Sequence, residues 1–294
     1  RLLGELGALE LLRLAEGDEV VPGLSPVDAQ VWRAQFERSD ARTLEQNLVG
    51  AERADIGTLI PGDKEWPSAL DDLGDRRPYV LWTRGTTSFL ARPLSDFVTI
   101  TGARASTSYG EHVTGQLASD LASAERIIVA GGAYGIEGAA HRAALASGGD
   151  TIAVMANGVD RPYPMGHREL LERVADLGLL VSEVPPAAVP TRHRFNARAR
   201  LMAALSATTV VVEAGVRSGS MTVARRAHEL GRAVGLQGVA DVDQVVRHGG
   251  TLGRCGLGGA NVHAPVHQGR IDADDLHRHA PPQHGGQGQR PGGF

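Results

Sequence analysis

Four arginines flank a single phenylalanine in the segment TRHRFNARARL, residues 191–201. They are Arg192, Arg194, Arg198 and Arg200. Arginine side chains neutralise phosphates, and the ring of Phe195 offers a face on which a base can stack. A basic track beside a stacking ring is the chemistry of single-strand nucleic-acid binding. Read alone, the segment is explained better as a solvated basic loop with Phe195 packed in the core.

Three further segments place glycine, serine and arginine at turns that open a helix. They are TGARASTSYG at 101–110, AGGAYGIEGAAH at 130–141 and VVVEAGVRSGSM at 210–221. The backbone N–H groups of such turns favour an anion. The candidate contacts are Gly102, Arg104, Ser106, Gly132, Gly135, Arg217, Ser218 and Gly219. Helix N-caps at Ser106 or Ser108 and at Ser218 explain the first and third segments about as well.

The other residues that could do acid–base, nucleophilic or metal chemistry form no recognisable set. His141 lies among alanines inside a predicted helix, without a nucleophile motif, which favours a structural role. Ser218 lacks a G-x-S-x-G context, and the turns lack the G-x-G-x-x-G spacing of dinucleotide sites. Cys255 is the only cysteine, and the histidines after residue 260 have no compact ligand spacing. We therefore expect no catalytic residue, no metal and no cofactor.

Strand and helix patterns alternate between about residues 97 and 237. The predicted strands are FVTITG, RIIVAGG, TIAVMA, LGLLVSE, TTVVVEA and RAVGLQG. The predicted helices begin near Tyr109, Ile136, Gly166, Ala197 and Ser220. This alternation indicates a mostly parallel sheet with helices on both faces. The three turns and the basic segment should meet at the carboxyl edge of its strands, where ligands of open α/β sheets bind, so phosphate and base binding becomes the preferred interpretation.

Composition divides the chain into three predicted parts. Residues 1–60 are expected to form part of a small helical region, residues 61–238 the α/β domain, and residues 239–294, rich in Gly, His, Gln and Pro, a disordered tail. Because the formal net charge is −4, any polyanion site must be a local patch. No apolar run approaches the roughly 20 residues of a membrane span. The first residue, Arg1, suggests that the natural start lies upstream.

The ordered motifs closely resemble the DNA-processing protein A family, also called DprA or Smf. They are TGARASTSYG, GGAYGIEGAAHRAAL, GGDTIAVMANGVDRPYP, LVSEVPP, RFNARARLMAALS and VVVEAGVRSGSMTVARRA, with EWPSALDDLGDRRPYVLWTRG upstream. The resemblance implies an extended Rossmann-like fold, a cytoplasmic homodimer and binding of single-stranded DNA. It also implies protection of incoming DNA and loading of the RecA recombinase during natural transformation. No catalytic residue carries over.

The resemblance also assigns roles to individual residues. Arg104 would hold phosphate, the turn at 131–135 would line the pocket, and Arg192 and Phe195 would be the charged and stacking contacts. Arg198 and Arg200 match a family Arg-Asn-Arg, and Ser218 with Gly219 match its Ser-Gly-Ser turn.

Two positions and one segment depart from the family pattern. Ala199 stands where the family has Asn, and Glu137 where it has Asp. After GRAVG the amino-acid sequence no longer follows the family pattern, which suggests a shifted reading frame near residues 235–240.

The alternative function is that of an enzyme built on a related sheet. Nucleotide phosphoribohydrolases on Rossmann-like folds place a glutamate after a strand, and Glu213 is the corresponding candidate here. Their usual Pro-Gly-Gly-x-Gly-Thr turn is replaced by EAGVRSGSM, which makes the enzyme the less favoured alternative.

Overall fold

The computed structural model describes residues 2–37, 41–215 and 218–237. The helices in these residues are α1 (Leu2–Glu16, interrupted at Gly7), α2 (Pro26–Glu37), α3 (Ala41–Arg53), α4 (Ser108–Ser123), α5 (Ile136–Ala146), α6 (Arg168–Leu177), α7 (Arg192–Ala204) and α8 (Gly219–Glu229). The strands are β1 (Gly57–Leu59), β2 (Leu81–Gly85), β3 (Phe97–Gly102), β4 (Ile127–Gly131), β5 (Thr151–Val154), β6 (Leu179–Ser182), β7 (Thr208–Val212) and β8 (Ala233–Gln237). Short 3-10 turns include Ser68–Arg76 before β2 and Met165–His167 before α6.

The strands form one sheet in the order β1-β2-β6-β5-β4-β3-β7-β8. β2 pairs antiparallel with both β1 and β6, and all other neighbours are parallel. The six predicted strands are the six parallel ones, which confirms the Rossmann-like α/β fold. From β3 the chain builds outward through β4, β5 and β6, then returns to add β7 and β8 on the other side. The carboxyl edge near β3 is therefore the topological switch point.

Both faces of the sheet are covered, as the near-continuous apolar strands predict. In β4, Ile127 and Val129 pack in the same cluster as Met202 of α7 and Val223 of α8. Ile128, on the opposite face, packs in a second cluster with residues of α4 and α5. Alternate residues of one strand thus anchor opposite helical layers, so α5 and α7 lie on opposite faces of the sheet.

The structure corrects the predicted start of the basic helix. α7 begins at Arg192, five residues before the predicted start near Ala197. Oγ1 of Thr191 accepts a hydrogen bond from the N–H of Arg194 at 3.2 Å and satisfies one of the free N–H groups of the first turn. The arginines therefore lie on a helix rather than partly in a loop.

Two other helix starts were also predicted from capping residues. The cap of α4 is Thr107, so the predicted caps Ser106 and Ser108 are wrong by one residue. Ser218 caps α8 as predicted, its Oγ accepting from a backbone N–H at 3.3 Å.

The N-terminal helices form a small cluster of their own. Leu14, Val21 and Ala29 pack together across α1 and α2. The predicted tail at 239–294 lies outside the described residues, and so do residues 238–240 of the region in which the frame shift was suggested. Among the helices that the structure describes, none has the length and apolar character needed to cross a membrane.

His141 joins α5 to the sheet. Its ring is fully buried, with Nδ1 2.8 Å from Oγ1 of Thr151 and Nε2 donating to the carbonyl oxygen of Gly131 at 3.0 Å. Burial lowers the pKa of His141 to about 4, although the bond to Gly131 and the charge of Glu137 favour the protonated ring. The imidazole is therefore neutral at pH 7, and its contacts are those of a structural histidine, as predicted.

We expect the free energy of unfolding to fall as the pH drops from 7 to 5. The unfolded chain, with an ordinary histidine pKa of 6.5, takes up a proton that folded His141 excludes until about pH 4. This linkage is worth about 2 kcal/mol over that interval. Urea unfolding at both pH values measures it, and His141→Gln should lack this part of the pH dependence. An identical loss in wild type and variant would contradict the assignment.

Gly102 ends β3 opposite Val212 of β7. A Cβ at this position would overlap the carbonyl oxygen of Val212 and lie 2.7 Å from Cγ1 of Ile136. Gly102→Ala should therefore lower the free energy of unfolding by about 3 kcal/mol in urea titrations. Gly115, on α4, has open space around it, and Gly115→Ala should raise stability by about 0.5–1 kcal/mol. Changes of the same sign in the two variants would disprove the packing argument.

Candidate nucleic-acid interface

The turns after β3 and β4 contact each other at the carboxyl edge of the sheet. The N–H of Ile136, the first residue of α5, donates to the carbonyl oxygen of Ala103 at 3.1 Å. Gly135 has a φ of +73°, and a Cβ there would lie 2.6 Å from the carbonyl oxygen of Arg104. Only glycine combines this backbone conformation with so close an approach. The fold therefore brings the predicted residues Gly102, Arg104 and Gly135 together.

A buried ion pair connects this edge to α7. Nη2 of Arg198 lies 3.4 Å from Oε1 of Glu137, and both side chains are about nine-tenths buried. Thr101 donates its hydroxyl to Oε1 at 2.9 Å, and the N–H of Ala133 donates to Oε2 at 3.0 Å. A Cβ at Gly131 would overlap the guanidinium of Arg198, so glycine at the end of β4 makes room for the pair.

The carboxylate of Glu137 stays charged inside the protein. Burial alone would raise the pKa of Glu137, but the charge of Arg198 and the hydrogen bonds from Ala133 and Thr101 together hold that pKa below its ordinary value. Removing one partner of a buried ion pair costs about 3–5 kcal/mol, because the other charge remains uncompensated. Glu137 therefore fixes where Arg198 lies.

Two guanidinium groups pack over the ring of Phe195. Cζ of Arg104 and Cζ of Arg198 each lie 5.3 Å from the ring centroid, which is within cation–π range. The ring of Tyr163 lies 6.2 Å away at an interplanar angle of 55°. Phe195 is half-buried, so its ring is neither lost in the core nor free in solvent. The sequence left open whether this ring is a stacking face or is packed in the core, and in the structure its exposure lies between the two.

A cavity of about 70 Å³ opens beside Phe195. Its walls include Arg104, Tyr134, Asn157, Tyr163, Phe195 and Arg198. The ring of Tyr134 packs edge-on against His167, with 4.7 Å between the centroids. Gly132 lies against this wall, since a Cβ there would come 2.8 Å from the carbonyl oxygen of Tyr163. Aromatic faces and guanidinium groups thus surround a narrow space, which suits a planar, electron-rich ring.

The other arginines of α7 differ in how much of their charge is free. Arg192 is exposed and makes no hydrogen bond or ion pair within the described ranges. Arg194 donates to the carbonyl oxygen of Val189. Nη1 of Arg200 lies 2.8 Å from Oε1 of Glu183, and both side chains are largely buried. Arg200 therefore carries an internal counter-ion, as Arg198 does.

The remaining predicted contacts lie at helix starts. The hydroxyl of Ser106 donates to Glu111 at 2.9 Å, and Ser218 and Gly219 open α8. Arg217 lies outside the described residues.

Glu213 completes the first turn of α4. Its carboxylate accepts hydrogen bonds from the N–H of Thr107 at 2.8 Å and from the hydroxyl of the same residue. Glu213 also has a φ of +49°, a conformation that non-glycine residues rarely adopt. Its oxygens accept hydrogen bonds at the N-terminus of α4, where a negative charge is stabilised.

Two polar residues that line the cavity, Asn157 and Tyr163, were not predicted from the sequence. Both lie on the turn after β5, whereas Tyr134 lies on the turn after β4 that was predicted to line the pocket. The signal was present, because a tyrosine in a turn at the carboxyl edge of a parallel sheet is placed to meet a ligand.

Comparisons with known proteins agree on one family. The family model described as DNA recombination-mediator protein A matches residues 57–252. A DNA processing protein DprA of Bacillus subtilis is 31% identical over 232 residues, which cover 76% of this chain and 77% of that protein. A Mycobacterium tuberculosis relative is 45% identical over 214 residues, covering 67% of this chain. The chain spans 55% of the length of that relative.

Solved structures give the same answer. The X-ray structure of DNA processing protein A from Streptococcus pneumoniae has a TM-score of 0.67 and 28% identity, covering 83% of this chain and 88% of that one. A Helicobacter pylori DNA processing protein A, whose structure concerns that protein's single-stranded DNA binding mode, has a TM-score of 0.58 and 31% identity over 66% of this chain and 87% of that one. This chain therefore belongs to the DNA recombination-mediator protein A family.

Proposed function

We propose that the protein binds single-stranded DNA at the carboxyl edge of its sheet, with Phe195 as the stacking platform. The observation that carries the proposal is the half-buried ring of Phe195, with Arg104 and Arg198 each 5.3 Å from its centroid, beside the aromatic cavity. The ring of Phe195 supplies a face for stacking, and Arg104, which has no ion pair within the described ranges, supplies charge. Family membership supports the same activity.

The shape of the site favours an unpaired strand over a duplex. A cavity of about 70 Å³ with walls at Tyr134 and Tyr163 admits the edge of one planar ring. Bases in a duplex are stacked on both faces, whereas a base in a single strand has a face free for Phe195. Stacking of this kind tolerates any base, because every base has a π-face. We therefore expect binding that depends on strandedness much more than on sequence.

The net positive charge at the site is small and is confined to a few side chains. Arg198 and Arg200 are balanced by Glu137 and Glu183, so they add little net attraction for phosphates. Arg104 and Arg192 have no ion pair within the described part of the chain. A few free guanidinium groups suffice to hold a strand against a protein whose formal net charge is −4. The affinity should then depend on salt, with a modest slope.

We infer the wider role from the family. The protein would protect incoming DNA and help to load the RecA recombinase in natural transformation, as a cytoplasmic homodimer. The description of the family as recombination mediators supports this inference. Residues 61–238 would form the DNA-binding domain, between a helical region at 1–60 and a tail at 239–294. Light scattering tests the dimer, and DNA-strand exchange with RecA tests the loading.

We propose a binding role without catalysis. The alternative, a nucleotide phosphoribohydrolase that uses Glu213, is not favoured because both oxygens of that carboxylate accept hydrogen bonds from Thr107. Release of free base from a nucleoside monophosphate by the purified protein would support the alternative.

Replacing Phe195 tests the stacking platform. Phe195→Ala should weaken binding of a single-stranded oligonucleotide by about 1–3 kcal/mol, because the stacking contact is lost. Phe195→Tyr keeps the ring and should bind nearly as the wild type does. Fluorescence anisotropy at constant salt measures the affinity, and circular dichroism confirms the fold. Wild-type affinity in Phe195→Ala would show that the ring does not contact the bases.

The salt dependence tests the local charge. Arg104→Ala should reduce the slope of log K against log salt by about 1, because one phosphate contact is lost. The matched control is Arg225→Ala, which removes an exposed arginine of α8 and should leave the slope unchanged. Equal reductions in the two variants would mean that the attraction comes from the whole surface rather than from this edge.

A further inference from the structure

We propose a second base-stacking subsite, with Tyr79 as its platform, that binds the continuation of the strand held at Phe195. The inference rests on the proposed function and extends it along the strand. The subsite is a groove of about 280 Å³ between the segment before β2 and the side of α7. Its lining includes Asp75, Arg76, Pro78, Tyr79, Glu183 and Arg200.

Tyr79 has an accessible ring without a structural contact. The residue is 61% exposed, and within the described ranges neither its ring nor its hydroxyl has a partner. Tyr134 and Tyr163, in contrast, pack their rings against neighbouring side chains. A tyrosine exposed in a groove offers a large rigid face at a low entropic cost, which is typical of an interface residue.

The floor of the groove is rigid before any ligand arrives. Arg200 makes a two-pronged ion pair with Glu183, with Nη1 2.8 Å from Oε1 and Nη2 bonded to Oε2. Nε of Arg200 donates to the carbonyl oxygen of Arg76 at 2.9 Å. The bidentate pair therefore fixes the backbone three residues before Tyr79. A ligand at this groove would not have to order the segment, which favours binding.

The groove lies at the same edge of the sheet as the Phe195 cavity. β2 runs antiparallel to β6, with Trp82 opposite Ser182, so the residues before β2 lie beside the carboxyl end of β6. β6 is separated from β4 by β5 alone. Both subsites are therefore at the edge where open α/β sheets bind their ligands.

α7 borders both subsites, because Phe195 and Arg198 line the cavity and Arg200 lines the groove. His193, Asn196 and Arg200 follow at i, i+3 and i+7 on one side of the helix, and the first two are exposed. Phe195 and Arg198 project from another side, so the strand passes around α7 between the subsites.

The charges in the groove favour a base over a phosphate. Arg200 is neutralised by Glu183, while Arg76 and Asp75 are exposed and have no ion pair within the described ranges. The carboxylate of Asp75 repels a phosphate, but a stacked base is uncharged. We therefore expect Asp75→Asn to strengthen the binding of a strand long enough to reach Tyr79.

Oligonucleotides of two lengths separate the subsites. Oligothymidylates of about 5 and about 16 nucleotides, within the range of single-strand sites, are titrated by fluorescence anisotropy. Tyr79→Ala should weaken binding of the longer one at least fivefold and leave the shorter one unchanged. Tyr79→Phe should match the wild type, and Asp75→Asn should bind the longer one more tightly. Phe195→Ala should weaken both.

The outcomes distinguish this inference from the proposed function. If Phe195→Ala weakens both lengths while Tyr79→Ala weakens neither, the second subsite is wrong and single-strand binding stands. Equal weakening of both lengths by Tyr79→Ala also overturns it, because Tyr79 would then belong to the first subsite. If the folded wild type binds neither length at low salt, the proposed function and the inference both fail. Because Tyr79 is exposed, the thermal unfolding of Tyr79→Ala should match that of the wild type.

Discussion

The carboxylate of Glu137 holds the guanidinium of Arg198 at 3.4 Å, in a region that excludes most water. Glu137 belongs to α5 and Arg198 to α7, and these helices cover opposite faces of the sheet. Their side chains meet beyond the end of β4, where Gly131 has no side chain to keep them apart. The pair thus ties the two helical layers together at the carboxyl edge. It also sets the position of the guanidinium over Phe195, so the proposed stacking site depends on it.

The arginines of α7 show how an acidic protein can keep a basic helix. Arg198 and Arg200 have internal counter-ions, Glu137 and Glu183, and both pairs are largely buried. These two arginines position neighbouring groups: one lies over Phe195, and the other fixes the backbone before Tyr79. The free charge that remains acts at short range and is screened beyond about 8–10 Å at physiological salt. Such a site attracts a strand at one edge of the sheet without making the whole surface attractive to nucleic acid.

Periodicity and turn chemistry predicted the parallel strands, the edge at which the turns meet and the aromatic ring at that edge. They could do so because apolar runs and glycine turns involve residues that are close together in the sequence. The start of α7 was predicted five residues late, because the capping bond of Thr191 starts the helix although its first turn has few apolar residues. The pairing of Arg198 with Glu137 joins residues 61 positions apart, and no local pattern encodes it. Tyr79 was missed for a similar reason, because the pairing of β2 with β6 that brings it to this edge joins distant parts of the sequence.

The central claim is that an unpaired base contacts Phe195 at the carboxyl edge. Photo-crosslinking of the full chain to a single strand carrying 5-iodouracil, followed by peptide mapping, tests that contact directly. The account predicts crosslinks at Phe195 and at the cavity tyrosines Tyr134 and Tyr163, and their suppression by unlabelled single strand but not by equal duplex. Crosslinks confined to the amino edge of the sheet, or equal suppression by duplex, would contradict it.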